Sequence, residues 1–283
     1  MSLALNVGWA KRSVPTDSVK QWNHCAWARR FRAFAHPTIV ALALTTQPSH
    51  AADLRVYTSG APAYIVQIVV AASFFTATGY RVSVTVGTVA EIRQMLAAAP
   101  APDVVILPAP VMDALDKAGT FAGGSRTELA RVGIGVAVRA GAPLPDISTE
   151  DAVRRMLVAA RSIVHPDPAG GGFAGAQIAR MMTRLGIADL VKPKTSYKFA
   201  IAGGTAAVAN GDAEIGLFNV SEIIVDKGVT LVGPLPPSLQ SYITFVGAVH
   251  VGSAEPDAAR AFLRALVAPA ARGAWTKLGL EPL

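Results

Sequence analysis

The chain has 283 residues, 52% of them hydrophobic and only 16% charged, with a formal net charge of +7, a pI near 9.8 and a single cysteine. A pI this high invites a nucleic-acid partner, but six of the 26 basic side chains and one of the 19 acidic ones fall in residues 1–52, so the remainder carries only about +2. Residues 53–283 show no basic stripe interleaved with aromatics, which excludes nucleic acid. They also hold no cysteine, which excludes thiolate metal sites and cysteine nucleophiles and suits an oxidising compartment without disulfides.

In chain order, Arg29, Arg30 and Arg32 precede the short apolar run IVALALTT and the small residues Ser49 and Ala51. That succession is the plan of a secretory signal peptide, and it assigns residues 1–52 to a leader that takes Cys25 with it. The apolar run is far below the 18 or so residues of a membrane span, so no stable membrane insertion is expected. DLRVYTS then reads as a strand, APAYIVQIVVAASFFTATG as a helix closed by Gly79, and YRVSVTVG as a second strand. VAEIRQMLAAA places Ile92, Met95 and Leu96 on one helical face, PDVVILPAP is a third strand, and VMDALDKAG is a short helix. This β-α-β-α-β order predicts a parallel sheet with right-handed crossovers.

RVGIGVAVRAG reads as a long strand, followed by DISTEDAVRRMLVAAR, where Ser148 and Asp151 have capping-box spacing. SIVHPD is a strand leading into three glycines, and the helix beyond presents Ile178, Met181, Met182 and Leu185 on one face before Gly186. AEIGLFNVSEII, VTLVGPLP and SYITFVGAVHV are further strand candidates, and two helical stretches close the chain. Residues 53–283 suffice for one large domain or two small ones.

Gly170, Gly172 and Gly175 spell G-x-G-x-x-G, the dinucleotide fingerprint, but its context is absent. The fingerprint belongs in the first β-α turn, with a carboxylate about 20 residues on. Here it follows several β-α units, and no Asp or Glu lies between Asp189 and Asp212. No cofactor is therefore expected. The physical content that survives is a helix start free of side chains, where backbone N–H groups bind anions. Thr58, Ser59, Gly60 and Ala61 after the first strand, Gly87 and Thr88 after the second, and Gly203, Gly204 and Thr205 before another helix repeat the theme. In an open parallel sheet such turns gather at the carboxyl ends of the strands, where ligands bind, and each helix start adds about half a positive charge.

Together, VYTSGAP, VGTVAEIRQM, APDVVILPA, HPDPAGGGFAGAQIARMMTRLGI, VANGDAEIGLFNVSEI and the closing EPDAARAFLRALVAPAARGAWTKLGL resemble the periplasmic molybdate-binding proteins of ABC importers. The resemblance implies an α/β, two-lobed type II periplasmic binding protein fold with the cleft between lobes. It places lobe I at 53–132 plus 240–283 and lobe II at 133–239, with a hinge near Val132 and Gln240. It further implies a periplasmic, monomeric solute-binding protein that passes a small anionic ligand to an ABC transporter permease, with no metal of its own. Carried over by position, Ser59 and Thr88 are hydroxyl donors, and Gly172, Phe173 and Gly204 are backbone donors. Gly60, Ala61, Gly171, Gly203 and Asn219 complete the expected site. This chain departs from the molybdate pattern with Asn219 in place of a tyrosine, one hydroxyl in place of a serine pair, and glycines in place of a proline-containing turn. A wider site and an amide favour a carboxylate-bearing ligand over a molybdate-like oxyanion.

Proteins similar to this subgroup include an aconitate isomerase, which supplies the alternative of an enzyme on the same fold. Isomerisation needs a base to remove a proton beside a carboxylate, and His165, Lys198 and Glu222 are the titratable candidates, the first two being the leading ones. A lone histidine at a strand end is more often structural. No Ser-His-Asp order, paired carboxylates or His-x-x-x-His spacing is present, so binding is the leading expectation.

Overall fold

The computed structural model describes residues 53–98, 100–170 and 172–283; residues 1–52, which hold the expected leader, and Ala99 and Gly171 lie outside them. β1 (Asp53–Thr58) passes through Ser59 into α1 (Gly60–Tyr64), which continues through a π-helical stretch, Ile65–Val70, into α2 (Ala71–Thr78). This rod is long and apolar enough to span a membrane. One stripe of it, including Ala61, Ile65, Val66, Val70 and Phe74, is buried in the core, as expected of an amphipathic core helix. Gly79 ends it in the left-handed conformation, φ 77°, which only glycine adopts freely.

β2 (Arg81–Val86), α3 (Val89–Leu96), β3 (Val104–Pro108) and α4 (Ala109–Lys117) complete the first β-α series. β1 lies between β2 and β3, parallel to both, as the alternating sequence pattern predicts. The sheet then becomes mixed. β9 (Tyr242–Val249) returns antiparallel to β3, and β4 (Thr127–Arg139) runs antiparallel to β9.

β4 is the strand that joins the two halves. Its first part pairs with β9 up to Gly133 opposite Tyr242, and from Ile134 opposite Asn219 it pairs with β7 (Ile215–Asn219). The second half also holds α5 (Glu150–Ala159), β5 (Ile163–His165), α6 (Phe173–Arg184), α7 (Ala188–Val191) and β6 (Thr195–Tyr197). α8 (Gly204–Asn210), α9 (Val220–Ile224) and β8 (Val229–Pro234) follow. β5 lies between β6 and β7, parallel to both, and β8 pairs antiparallel with β4. Where β4 changes partners, the Gln240 side chain takes over the ladder: its Oε1 accepts from Ile134 N–H at 2.8 Å and its Nε2 donates to the Ile134 carbonyl at 2.9 Å. The chain closes with α10 (Pro256–Val267), α11 (Pro269–Lys277) and β10 (Leu280–Pro282), the last paired with β4.

Two local expectations shift. The helix α5 is capped by Thr149, whose hydroxyl accepts from Ala152 N–H at 3.1 Å; Ser148 is instead held by Asp146 at 2.7 Å. AEIGLFNVSEII is not one strand: β7 stops at Asn219, and the next five residues are α9. Asn219 and Glu222 occupy the N-cap and third helical positions there, but the Asn219 side chain accepts no cap hydrogen bond and instead donates to the Glu222 carboxylate.

Candidate functional site

A cleft of about 60 Å³ opens where the ends of these strands meet. Ser59, Thr88, Pro108, Gly172 and Asn219 all line it, and each is the N-cap residue of a helix: α1, α3, α4, α6 and α9. Five helix starts therefore face one small space. Each leaves N–H groups without intrahelical partners and contributes positive potential. Ile243 and Phe245 of β9, with Phe173 and Phe199, supply the apolar walls.

Two polar atoms at the cleft are buried and without partners, Ser59 Oγ and Asn219 Oδ1, in residues that are each 8% exposed. Buried polar groups are rarely left unpaired, and such exceptions mark places where something else binds. Thr88 is differently placed. Its hydroxyl accepts from Glu91 N–H at 3.3 Å while its own N–H donates to Glu91 Oε2 at 2.7 Å, a complete capping box. The Thr88 backbone N–H, and then its side chain, hold the Glu91 carboxyl below the usual range. The Thr88 hydroxyl can donate either to the Glu91 carboxylate or to a ligand in the cleft.

The glycine run serves a different purpose from the one its sequence suggests. A Cβ on Gly172 would sit 2.7 Å from Cε1 of Phe199, and one on Gly170 would sit 3.1 Å from Cζ of the same ring. On Gly175 it would meet the Pro166 carbonyl oxygen at 2.5 Å. The glycines therefore seat the Phe199 ring and let α6 approach the Pro166–Asp167 backbone, so the site is not widened at this turn. Gly203 and Gly204 also differ from expectation. They are set back from the cleft, Gly204 packs on the Phe218 ring, and its N–H already donates to the Phe199 carbonyl at 2.9 Å, leaving nothing for an anion. The same loop reaches the cleft through Phe199, Ala200 and Ile201. Ser59, Gly60, Ala61, Thr88, Gly172, Phe173 and Asn219 do come together there.

Of the three titratable candidates, the structure brings only Glu222 to the cleft. His165 is 2% exposed, donates from Nδ1 to the Pro166 carbonyl at 2.8 Å, and stacks edge-on against Tyr197, facing a separate crevice. Burial holds its pKa below the ordinary value, so it is a neutral structural residue. Lys198 is exposed, and its backbone N–H caps the His165 carbonyl at 3.0 Å. Glu222 projects from α9 with Oε2 accepting from Asn219 Nδ2 at 2.8 Å and Oε1 beside Gly60. Burial pushes its carboxyl up to about 7, against the side-chain and backbone hydrogen bonds of Asn219 that pull it down. The Asn-x-x-Glu spacing was the sequence signal for this residue, masked by an apolar stretch that reads as strand.

Two halves sharing a crossing strand, with helix starts aimed into one cleft, define a two-lobed solute-binding protein of the type II periplasmic binding fold. The profile of the bacterial extracellular solute-binding proteins matches residues 54–281, and the chain belongs to that family, which implies a place outside the cytoplasm. An aconitate isomerase from a Pseudomonas species is 34% identical over 182 residues, covering 64% of this chain and 68% of that protein. The periplasmic molybdate-binding protein of Azotobacter vinelandii superimposes with a TM-score of 0.65 at 21% identity, over 80% of this chain and 98% of that one. PEB3 from Campylobacter jejuni, solved with L-phospholactate, gives 0.62 at 17% identity over 81% and 99%.

Proposed function

We propose that this protein captures a small carboxylate-bearing anion in the periplasm and delivers it to the permease of an ABC importer. The observation that carries this reading is the convergence of five helix N-caps on a cleft that retains unpartnered Ser59 Oγ and Asn219 Oδ1. Among the described residues no lysine or arginine lines it, so helix starts and hydroxyls would neutralise the ligand. Asn219, with an amide where a purely oxyanion site needs only donors, favours an organic acid over molybdate. Lobe I would comprise 53–132 and 240–283, lobe II 133–239, closing about the crossing held by Gln240 and Ile134.

Ser59→Ala and Thr88→Ala are each expected to weaken binding by about 1 to 3 kcal/mol, the cost of leaving an anionic acceptor short of a donor; Ser59→Ala should change folding little, whereas Thr88→Ala should also cost about 0.5 to 2 kcal/mol of stability through the lost cap of α3. Calorimetric titration with di- and tricarboxylates, and with molybdate as the contrast, checks this. Unchanged affinity in both variants removes these positions from the site, and stabilisation by molybdate alone removes the carboxylate assignment.

A second reading, an isomerase of an unsaturated tricarboxylate, is favoured by Glu222 at the cleft together with the 34% identical relative. In it Glu222, rather than His165 or Lys198, takes the proton beside a carboxylate and returns it at the far end of the allylic system. Proton NMR of cis- and trans-aconitate with the protein in deuterated water separates the two. Capture alone leaves both isomers unchanged, whereas interconversion that is lost in Glu222→Gln establishes the enzyme.

A further inference from the structure

Resting on the reading of the cleft as an anion site, we propose that the anion is taken up together with one proton, which Glu222 holds while its carboxyl group donates to the ligand. The geometry makes this necessary. Among the described residues, Glu222 is the only ionisable side chain lining the cleft, and it is an acid. Its Oε1 lies against Gly60 at the start of α1, its Oε2 is engaged by Asn219, and the unpartnered Ser59 Oγ lines the same cleft. An anion bound here would meet a second anion with no cation between them. Protonation removes that repulsion and turns an acceptor into a donor.

Among the described residues, the elements packed against α9 place no cation in the inner cleft. α1 brings only the exposed phenol of Tyr64, and the turn Ala200–Ala202, β7 and β8 carry no ionisable side chain. β4 carries Glu128, Arg131 and Arg139, but it meets α9 at Gly135, against Val220 and Ile223; Arg131 is paired with Glu281. Glu91, across the cleft, is committed to its capping box. Beyond α9, Asp226 and Lys227 line an outer crevice of about 640 Å³, which Glu222 and Gly60 also line. Glu222 thus stands between the inner cleft and an open crevice, so the proton comes from and returns to solvent without the ligand leaving. The raised affinity of this carboxyl for its proton in the empty protein agrees with that role.

The test is calorimetric titration of trans-aconitate into wild type and Glu222→Gln between pH 7 and 9, where the probe's own carboxylates are ionised, in buffers of different ionisation heat. Wild type should take up close to one proton per anion at the upper end and lose affinity by nearly tenfold per pH unit. Glu222→Gln, whose amide imitates the protonated acid, should take up none and bind with a pH-independent affinity that exceeds wild type at pH 9 by at least tenfold. Flat wild-type affinity with no proton uptake overturns the inference while leaving the capture reading intact. If trans-aconitate binds at no pH, the carboxylate reading fails, and thermal unfolding of the ligand-free protein tests the premise that Glu222 holds the proton. A carboxyl raised in the folded state stabilises below its unfolded pKa and loses that contribution as pH rises through about 7. Wild type should therefore lose stability across pH 5 to 8.5 relative to Glu222→Gln, and parallel profiles overturn it.

Discussion

Replacing Gly175 by alanine is expected to destabilise the protein by about 3 kcal/mol, the upper range for overpacking a tight site, and to weaken ligand binding at least tenfold. The new methyl group would meet the carbonyl oxygens of Pro166 and Asp167 at 2.5 and 2.7 Å, and these are backbone atoms that no rotamer change can move. Relief requires the first turn of α6 to tilt from the Pro166–Asp167 segment, which carries Gly172 and Phe173 away from the cleft. Urea unfolding and calorimetry on the same sample check both effects. Gly273→Ala is the control: it lies within α11 with nothing within 4 Å of the added atom, and should gain up to about 1 kcal/mol from helix propensity. A Gly175→Ala protein as stable as wild type would mean that α6 is not held by close approach.

Trp275→Ala is expected to cost about 3 to 5 kcal/mol, the range for emptying an aromatic site in a core. Trp275, on α11, is fully buried, and its indole N–H donates to the Leu266 carbonyl of α10 at 2.8 Å. At about 2 to 4 °C per kcal/mol for a domain of this size, the melting temperature should fall by about 6 to 20 °C. Trp275→Phe keeps most of the ring but orphans the Leu266 carbonyl, so its cost should be about 1 to 3 kcal/mol. Differential scanning calorimetry separates the two. Ligand affinity well below the melting point should be unchanged in both, because Trp275 does not line the cleft.

The alternation of apolar strands and amphipathic helices determined the first β-α series, the parallel pairing of β1 with β2 and β3, and the two hydroxyl turns at Ser59 and Thr88. These are local matters: side-chain period and turn chemistry act within a dozen residues, and the sequence displays them. The glycine run was equally visible, but its meaning was not. Free N–H groups and room for a packed ring require the same residue type, and only the position of Phe199, folded back from 27 residues beyond Gly172, shows that the room is taken. Gly204 looked like a donor until its N–H was seen bonded to Phe199, a partner five residues earlier in a tight turn.

What tertiary structure alone decided is which side chains share the cleft. His165 and Glu222 both stand at the end of an apolar run, and local sequence does not show which of them reaches the cleft. β5 buries His165 against Tyr197 behind the sheet, whereas Asn219 starts a helix one turn long that swings Glu222 against the backbone of Gly60, 162 positions earlier in the chain. A carboxylate's ionisation depends on what water and which charges surround it, and those neighbours come from α1, the Ala200–Ala202 turn and β7, which meet only when both halves are folded across β4.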